Sequence, residues 1–239
     1  MAAWICIVCG VISDRELAFC LDCLTRYSFR LQMRRTNLPA PANERVRAIT
    51  SAELVKEART ADRELPTGWR ELFETWDGLA MAVLLFGVPG CGKTTLSLSA
   101  LHRVFRSGIF LSAEEGVGGI MAARLKRLEL ISSKVWIVPS QEPQDAIRKA
   151  KEVQAEVVVV DSLGICHLTP EDIASVTKAG ISLWIIAHEA KDGRSWIGPA
   201  SIGHQVDTIL HVVAVYDGNV QVNAEKNRFG KTGDLVLPL

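Results

Sequence analysis

One loop constrains this chain more than any other part of its sequence. Residues 87–94 read Gly-Val-Pro-Gly-Cys-Gly-Lys-Thr and satisfy the pattern Gly-x-x-x-x-Gly-Lys-Ser/Thr in full. The apolar run AMAVLLF (80–86) precedes the loop, and TLSLSALHRVF (95–105) can continue as a helix. A strand, a glycine-rich turn and a helix N-terminus aim backbone N–H groups and the positive helix end at a phosphate. The sequence therefore predicts a site for ATP rather than a glycine-rich turn that matches by chance.

The residues predicted to contact the nucleotide lie in this loop or directly after it: Gly87, Gly90, Cys91, Gly92, Lys93, Thr94 and Thr95. Lys93 is expected to reach the β- and γ-phosphates, and the Thr94 hydroxyl is expected to bind Mg²⁺. A second Mg²⁺ ligand is expected from Asp161, which ends the apolar run EVVVVD (156–161). The alternative for Asp161 is a strand-end residue that only caps the next turn.

Two adjacent acids follow the next apolar run along the chain. The segment FLSAEEG (110–116) places Glu114 and Glu115 just beyond a predicted strand. A carboxylate there can orient a water molecule and accept its proton, so we predict Glu114 as the catalytic base. The alternative is that both acids form the first turn of the following helix, where the helix dipole favours negative charge.

Apolar runs alternate with amphipathic stretches from about residue 79 onward. Five short, continuously apolar runs are typical of parallel strands buried on both faces: 80–86, 109–112, 134–138, 156–161 and 181–187. Helical length or spacing occurs between them, at 93–107, 117–130, 141–154 and 170–179. This alternation predicts an α/β fold with a mostly parallel central sheet flanked by helices. Residues 207–226 differ, because two apolar segments meet at Asp217-Gly218-Asn219, which predicts a C-terminal β-hairpin.

Four of the six cysteines lie near the N-terminus, as two C-x-x-C pairs: Cys6 with Cys9, and Cys20 with Cys23. Each pair can form a tight turn that aims two thiolates at one tetrahedral ion, so we predict bound Zn²⁺. Disulfides are a second interpretation, disfavoured in a reducing compartment, and a redox C-x-x-C is a third, for which one pair would suffice. Such a small unit has little core, so folding and metal binding should be coupled.

Several motifs together resemble one known family. Two segments resemble the RecA core: FLSAEE and VVVVDS. Three later segments resemble successive motifs of the RadA/Sms family of bacterial DNA-repair ATPases: IIAHEAKDG (185–193), IGPASIGHQVDTILHV (197–212) and AEKNRFGKTGDL (224–235). Members of that family also begin with a four-cysteine zinc module, and Lys-Asn-Arg-Phe-Gly is one of its signatures. We predict a zinc-binding module at 1–29 and a basic linker at 30–65, in which Thr50 and Glu53 can form the capping box of a short helix at 50–58. The resemblance implies that residues 66–239 form a RecA-like ATPase domain.

The same resemblance implies roles for residues of the C-terminal third. Glu114 would take the catalytic position and Asp161 the Mg²⁺ position, while Lys226 and Arg228 would act on a nucleotide bound to the neighbouring subunit. His188 and Lys191 would sense the γ-phosphate and communicate with DNA, and Arg194 lies in the same polar loop. Members of the family form hexameric rings that act on single-stranded or branched DNA in recombination and repair. A DNA-stimulated ATPase with a recombinase as a further partner is therefore the expected function.

Two features of the sequence depart from the family pattern. The family usually continues into a Lon-protease-like domain, whereas this sequence ends soon after its Lys-Asn-Arg-Phe-Gly motif, so we expect a short form without that domain. The segment before the phosphate loop keeps the Thr-Gly start but lacks the usual glycine cluster. Two other functions therefore stay open: an ATP-dependent switch that binds a protein partner through its zinc module, and a replicative-helicase-like or circadian-clock-like ATPase.

Composition limits the remaining classes of protein. Hydrophobic residues make up 48% of the chain and charged residues 23%, which argues against a disordered polymer. The 27 basic and 27 acidic side chains balance, so any contact with nucleic acid must depend on local basic patches. No apolar run approaches the roughly 20 residues that span a bilayer, and no basic segment precedes the first apolar residues. We therefore expect a cytoplasmic protein without a membrane partner.

Overall fold

The computed structural model describes residues 64–130 and 134–239, together with the backbone of three N-terminal strands. The chain divides into two compact units, Met1–Val55 and Lys56–Leu239. The first unit contains a three-stranded antiparallel sheet in the order β2-β1-β3, formed by β1 (Ala2–Cys6), β2 (Ile12–Ser13) and β3 (Phe29–Met33). The side chains of the four paired cysteines and the helix predicted at 50–58 lie outside the described residues. The Zn²⁺ site and the three domain boundaries remain predictions.

The second unit is built on an eight-stranded sheet in the order β11-β10-β9-β4-β8-β7-β5-β6. Strands β4 to β9 run parallel, and β10 pairs antiparallel with both β9 and β11. The strands are β4 (Ala82–Gly87), β5 (Gly108–Ser112), β6 (Val135–Val138), β7 (Val157–Asp161), β8 (Ser182–His188), β9 (Thr208–Tyr216), β10 (Asn219–Asn227) and β11 (Gly233–Pro238).

Helices connect the parallel strands and cover the sheet. They are α1 (Thr67–Leu72), α2 (Lys93–Arg103), α3 (Gly119–Arg127), α4 (Pro143–Val153), α5 (Leu163–Cys166), α6 (Pro170–Lys178) and α7 (Ser201–Gln205). Alternate residues of β4 belong to two different apolar clusters, with Val83 and Leu85 in one and Leu84 and Phe86 in the other. The sheet is therefore buried on both faces, which is the reason its central strands lack the polar alternation of a half-exposed sheet.

The predicted α/β fold with a mostly parallel sheet is confirmed, and it is consistent with a RecA-like core. Each of the five apolar runs forms one of the strands β4 to β8, within two residues of the predicted bounds. Strands β4, β5, β7 and β8 are almost completely buried, whereas β6, at the edge of the sheet, is half-buried. The C-terminal hairpin is also confirmed, since β9 and β10 flank Asp217 and Gly218. Among the described residues, no helix combines the length and the apolar character that a membrane span requires.

Strand β11 and helix α1 were not expected from the sequence. The indole Nε1 of Trp69 on α1 donates to the carbonyl oxygen of Pro238 at 3.0 Å, and Trp69 is fully buried. Asn227 Nδ2 donates to the Leu72 carbonyl oxygen at 2.8 Å. These contacts join residues more than 150 positions apart in sequence, so no local pattern could reveal them.

Candidate nucleotide-binding site

The phosphate loop connects the end of β4 to the start of α2, as its motif predicts. Gly92 has a φ of +97°, a conformation that residues with a Cβ rarely adopt, and a Cβ built on it would collide with Val215 of β9. A Cβ on Gly87 would lie 2.7 Å from the Val212 carbonyl oxygen and 2.8 Å from Cys91 Sγ. The glycines are therefore required both by backbone conformation and by the close approach of β9.

Lys93 begins α2 and is almost completely buried, at 6% exposure. Its Nζ donates to the carbonyl oxygens of Gly87 and Val88, both at 2.8 Å, and lies 3.9 Å from Cys91 Sγ. Cys91 is also buried, and burial raises the pKa of its thiol although the nearby Lys93 charge opposes the rise. The ammonium group is thus held inside the loop, where phosphate oxygens can replace the two carbonyl oxygens as its hydrogen-bond acceptors.

Thr94 and Asp161 meet at the carboxyl ends of the parallel strands. Thr94 Oγ1 donates to Asp161 Oδ2 at 3.0 Å, across 67 positions of sequence. Burial, followed by the negative charge of Glu114, raises the pKa of Asp161 to about 6. A hydroxyl beside a carboxylate whose proton is easily displaced is a donor set suited to Mg²⁺, because a divalent cation favours the ionised carboxylate.

Glu114 lies two residues after β5 and is held by two hydrogen bonds. Ser162 Oγ donates to Glu114 Oε1, and His188 Nε2 lies 2.9 Å from the same oxygen. Burial alone would raise the pKa of Glu114, but the bonds from Ser162 and His188 outweigh it and lower that pKa. The carboxylate is therefore ionised at neutral pH and fixed in orientation, as a group that positions water must be.

These side chains line one cavity of about 390 Å³. Its lining comprises Pro89, Gly90, Gly92, Lys93, Thr94, Thr95, Glu114, Glu115, Arg124, Arg127, Asp161 and His188. A larger cavity of about 680 Å³ lies against α1, β10 and β11, but Glu71 and Asp234 are its charged lining residues. The described residues of that lining include no lysine or arginine, whereas Lys93, Arg124 and Arg127 line the cavity at the phosphate loop. The cavity at the phosphate loop is therefore the better site for a triphosphate.

Three residues of the site were missed by sequence reasoning. Arg124 and Arg127 come from α3 and line the cavity, and Ser162 holds Glu114. Ser162 had a signal in the sequence, because it directly follows Asp161 at a strand end. The two arginines had only a weak signal, because their position in the site depends on where α3 packs against the carboxyl edge of the sheet.

The remaining predicted residues lie outside the cavity. Lys191 and Arg194 are exposed in the loop after β8, which a β-bridge between Glu189 and Trp196 closes. Trp196 packs on Phe86, with ring centroids 5.9 Å apart. The tryptophan thus anchors the base of the loop, while the two cations stand at its exposed part.

Lys226 and Arg228 lie at the other end of the sheet from the phosphate loop. Lys226 Nζ donates to the carbonyl oxygens of Gly203 and Val206, at 2.9 and 2.5 Å, and Arg228 pairs with Asp207 at 2.9 Å. Asp207 also accepts from the backbone N–H of Ala82, the first residue of β4. The length of β4, about 15–20 Å, therefore separates these cations from the phosphate loop of their own chain.

Comparison with known proteins finds several bacterial DNA repair proteins with similar sequences. A DNA repair protein RadA of Chlamydia muridarum is 26% identical over 263 residues, which cover 98% of this chain and 56% of that protein. RadA of Mycolicibacterium smegmatis is 30% identical over 200 residues, covering 72% of this chain and 42% of that protein. RadA of Escherichia coli is 26% identical over 263 residues, with 98% and 56% covered.

The chain is similar in sequence to the RadA DNA repair proteins. The resemblance to the RadA/Sms family is thus confirmed, although no family model matches the chain. The chain spans about half the length of the curated RadA relatives that it matches. The activity of the full-length RadA proteins can therefore only be proposed for this chain.

Proposed function

We propose that this chain is an Mg²⁺-dependent ATPase that acts on single-stranded or branched DNA in recombination and repair. The observation that carries the proposal is the meeting of Lys93, Thr94, Asp161 and Glu114 in one cavity at the carboxyl edge of the sheet. Ligands of open parallel sheets bind at this edge. The similar proteins are named DNA repair protein RadA, and this name supports DNA as the substrate of the proposed ATPase.

Each side chain of the site has a separate role in the proposed hydrolysis of ATP. The ammonium of Lys93 neutralises charge on the β- and γ-phosphates, and Thr94 and Asp161 would hold Mg²⁺, which when bound withdraws electron density from the same phosphates. Glu114 orients the attacking water and takes its proton. Both described bonds to Glu114 end on Oε1, so Oε2 is the oxygen that can accept this proton.

His188 supports a route between DNA and the site of hydrolysis. It contacts Glu114 at 2.9 Å and is also the last residue of β8, directly before the loop that carries Lys191 and Arg194. Cations on an exposed loop can bind the phosphates of DNA. Displacement of this loop by DNA would move His188 and thereby reorient the Glu114 carboxylate.

The position of Lys226 and Arg228 favours a role between subunits. They lie too far from the phosphate loop of their own chain to touch its nucleotide, while Arg228 is 59% exposed. In a ring with head-to-tail contacts, such residues meet the nucleotide of the next subunit. We propose that this ring is hexameric, as in the family that the sequence resembles.

Steady-state ATP hydrolysis tests the proposal, measured with and without single-stranded DNA at low and moderate salt. We expect stimulation by DNA that weakens as salt increases, because phosphate contacts release counterions. Replacing Lys191 and Arg194 together with Ala should remove the stimulation and leave basal hydrolysis intact. The matched control is Lys178→Ala, an exposed lysine at the end of α6.

The result that contradicts the DNA assignment is hydrolysis unchanged by DNA at every salt concentration. In that case the ATPase would stand, and a protein partner bound through the N-terminal unit would become the leading function. Absence of hydrolysis together with absence of nucleotide binding would overturn the ATPase itself.

A further inference from the structure

The nucleotide cavity contains an ion pair for which the catalytic assignments above have no role. Arg124 on α3 donates from Nη1 to Glu115 Oε2 at 2.6 Å and from Nη2 to Glu115 Oε1 at 2.9 Å. This is the two-pronged geometry with which a guanidinium also grips a phosphate. Glu115 follows Glu114 directly, so the pair stands beside the proposed catalytic base.

Arg124 lies within the field of the groups that would bind the nucleotide. It lines the cavity together with Lys93, Thr94 and Asp161, and its side chain is 18% exposed. Its positive charge lowers the pKa of Asp161, whereas the charge of Glu115 raises it. Arg124 thus lines the same cavity as the proposed Mg²⁺ ligand and acts on it through charge.

The helix that carries Arg124 is lightly attached to the rest of the domain. In α3, Met121 is buried and Leu125 packs on the core at the edge of one cluster, but Ile120 is 70% exposed. Three glycines, Gly116, Gly118 and Gly119, precede or begin the helix, and a Cβ at any of them would meet open space. Small shifts of α3 therefore cost little packing energy, while the ion pair fixes its position relative to Glu115.

We propose that Arg124 is a triphosphate-selecting residue that exchanges Glu115 for the terminal phosphate of a bound nucleoside triphosphate. This proposal rests on the proposed ATPase function. A terminal phosphate offers the guanidinium two oxygens, as Glu115 does, but with greater negative charge. The exchange frees Glu115 and draws α3 toward the phosphate loop, whereas a diphosphate leaves the Arg124–Glu115 pair in place.

A structural role for Arg124 predicts different behaviour from a phosphate-binding role. If Arg124 only anchors α3 through Glu115, then Arg124→Gln and Glu115→Gln break the same bond and change nucleotide affinity in the same direction. If Arg124 binds the terminal phosphate, the two substitutions act in opposite directions. Arg124→Gln removes the phosphate ligand, whereas Glu115→Gln removes the competitor and one repelling charge.

The test is fluorescence anisotropy of labelled ADP and of a labelled ATP analogue with a β,γ-imido bridge, with Mg²⁺ present. For Arg124→Gln we expect about tenfold or greater loss of affinity for the triphosphate and less than about threefold loss for the diphosphate. Glu115→Gln should raise triphosphate affinity a few-fold. The triphosphate affinity of Arg124→Lys should lie between those of wild type and Arg124→Gln, because lysine keeps the positive charge but not the paired N–H donors of the guanidinium. The control is Lys126→Gln, an exposed cation on the same helix outside the cavity lining.

Each outcome decides the proposal. Equal losses for triphosphate and diphosphate in Arg124→Gln, or a shift in the same direction in both variants, would overturn the role of Arg124 while leaving the ATPase intact. If Arg124→Gln does not fold, Glu115→Gln decides alone, since an unchanged or lower preference for triphosphate contradicts the exchange. A wild-type chain that binds neither nucleotide would overturn the proposed function and this inference together.

Discussion

The protonation state that is favoured at Asp161 differs between the cation-free and the cation-bound site. Burial and the charge of Glu114 raise its pKa from 3.8 to about 6, so the folded state favours the protonated acid. This contribution to stability is fully present below about pH 4 and is lost as the pH rises through 6. A shift of roughly two pKa units corresponds to a loss of about 3 kcal/mol at neutral pH.

Asp161→Asn should therefore stabilise the chain without its ligands. We expect the free energy of unfolding to rise by about 2–3 kcal/mol at pH 7.5 in EDTA and to change little below pH 4. Urea denaturation at both pH values measures this difference. In excess Mg²⁺ and ATP the order should reverse, because wild type gains stability from the ligands that it binds. An equal effect at both pH values would show that the charge of Asp161 is not the cause.

Glu114→Gln should separate binding from hydrolysis. The substitution keeps the size of the side chain but removes the basic carboxylate, so we expect hydrolysis to fall by about 10²–10⁴-fold and ATP affinity to change only slightly. Single-turnover hydrolysis and equilibrium binding measure the two quantities, with the exposed Glu74→Gln as control. Hydrolysis at wild-type rate would move the role of base to Glu115 or another group.

At the scale of elements, the phosphate loop depends on the strand beside it. Gly92→Ala places a Cβ at a φ of +97° and against Val215 of β9, so the loop and the strand cannot both keep their positions. We expect at least a tenfold loss of ATP affinity and a destabilisation of about 1–3 kcal/mol. Equilibrium binding and urea denaturation measure the two effects.

Two further variants separate the causes of the Gly92 effect. Val215→Ala in the Gly92→Ala background should relieve the collision but not the strained φ, and so recover only part of the loss. Gly164→Ala in α5, where an added Cβ meets open space, should be close to neutral. If Gly92→Ala binds ATP as wild type does, β9 does not shape the loop.

For the whole molecule, the decisive question is whether Arg228 acts on a neighbouring subunit. Lys93→Ala should lose nucleotide binding but keep Arg228, whereas Arg228→Ala should keep the phosphate loop but lose the cation. Each variant alone should hydrolyse ATP poorly. Mixed in equal amounts, they should regain activity in about one site in four, if subunits exchange randomly in a head-to-tail ring.

The assay is ATP hydrolysis after co-refolding, with assembly checked by gel filtration. The control is Arg228→Ala taken through the same procedure alone. Mixed assemblies without recovered activity would exclude action between subunits. Lys226 donates to the carbonyl oxygens of Gly203 in α7 and of Val206 just after it. Arg228, which is 59% exposed, is therefore the better position for this test.

Sequence alone determined the features that depend on local pattern. The phosphate loop, the strands from β4 to β8 and the turn at Asp217 each carry their signal within about ten residues, because buried parallel strands are continuously apolar and tight turns need particular residues. The placement of Glu114 and Asp161 at one edge of the sheet also followed from the sequence, since Asp161 ends β7 and Glu114 lies two residues after β5. Their catalytic and Mg²⁺-binding roles remain predictions. The zinc cysteines remain a prediction from spacing.

Tertiary structure alone decided which distant residues meet. Nothing local to Arg124 distinguishes it from other arginines, and the position of Ser162 after a strand end does not show its partner. The packing of α3 brings Arg124 to Glu115, and the end of β7 brings Ser162 to Glu114. It also put Arg228 far from the phosphate loop of its own chain, at the opposite end of β4. The physical reason is that a hydrogen bond or an ion pair depends on distance in space, and the sheet order that sets this distance is fixed by long-range burial.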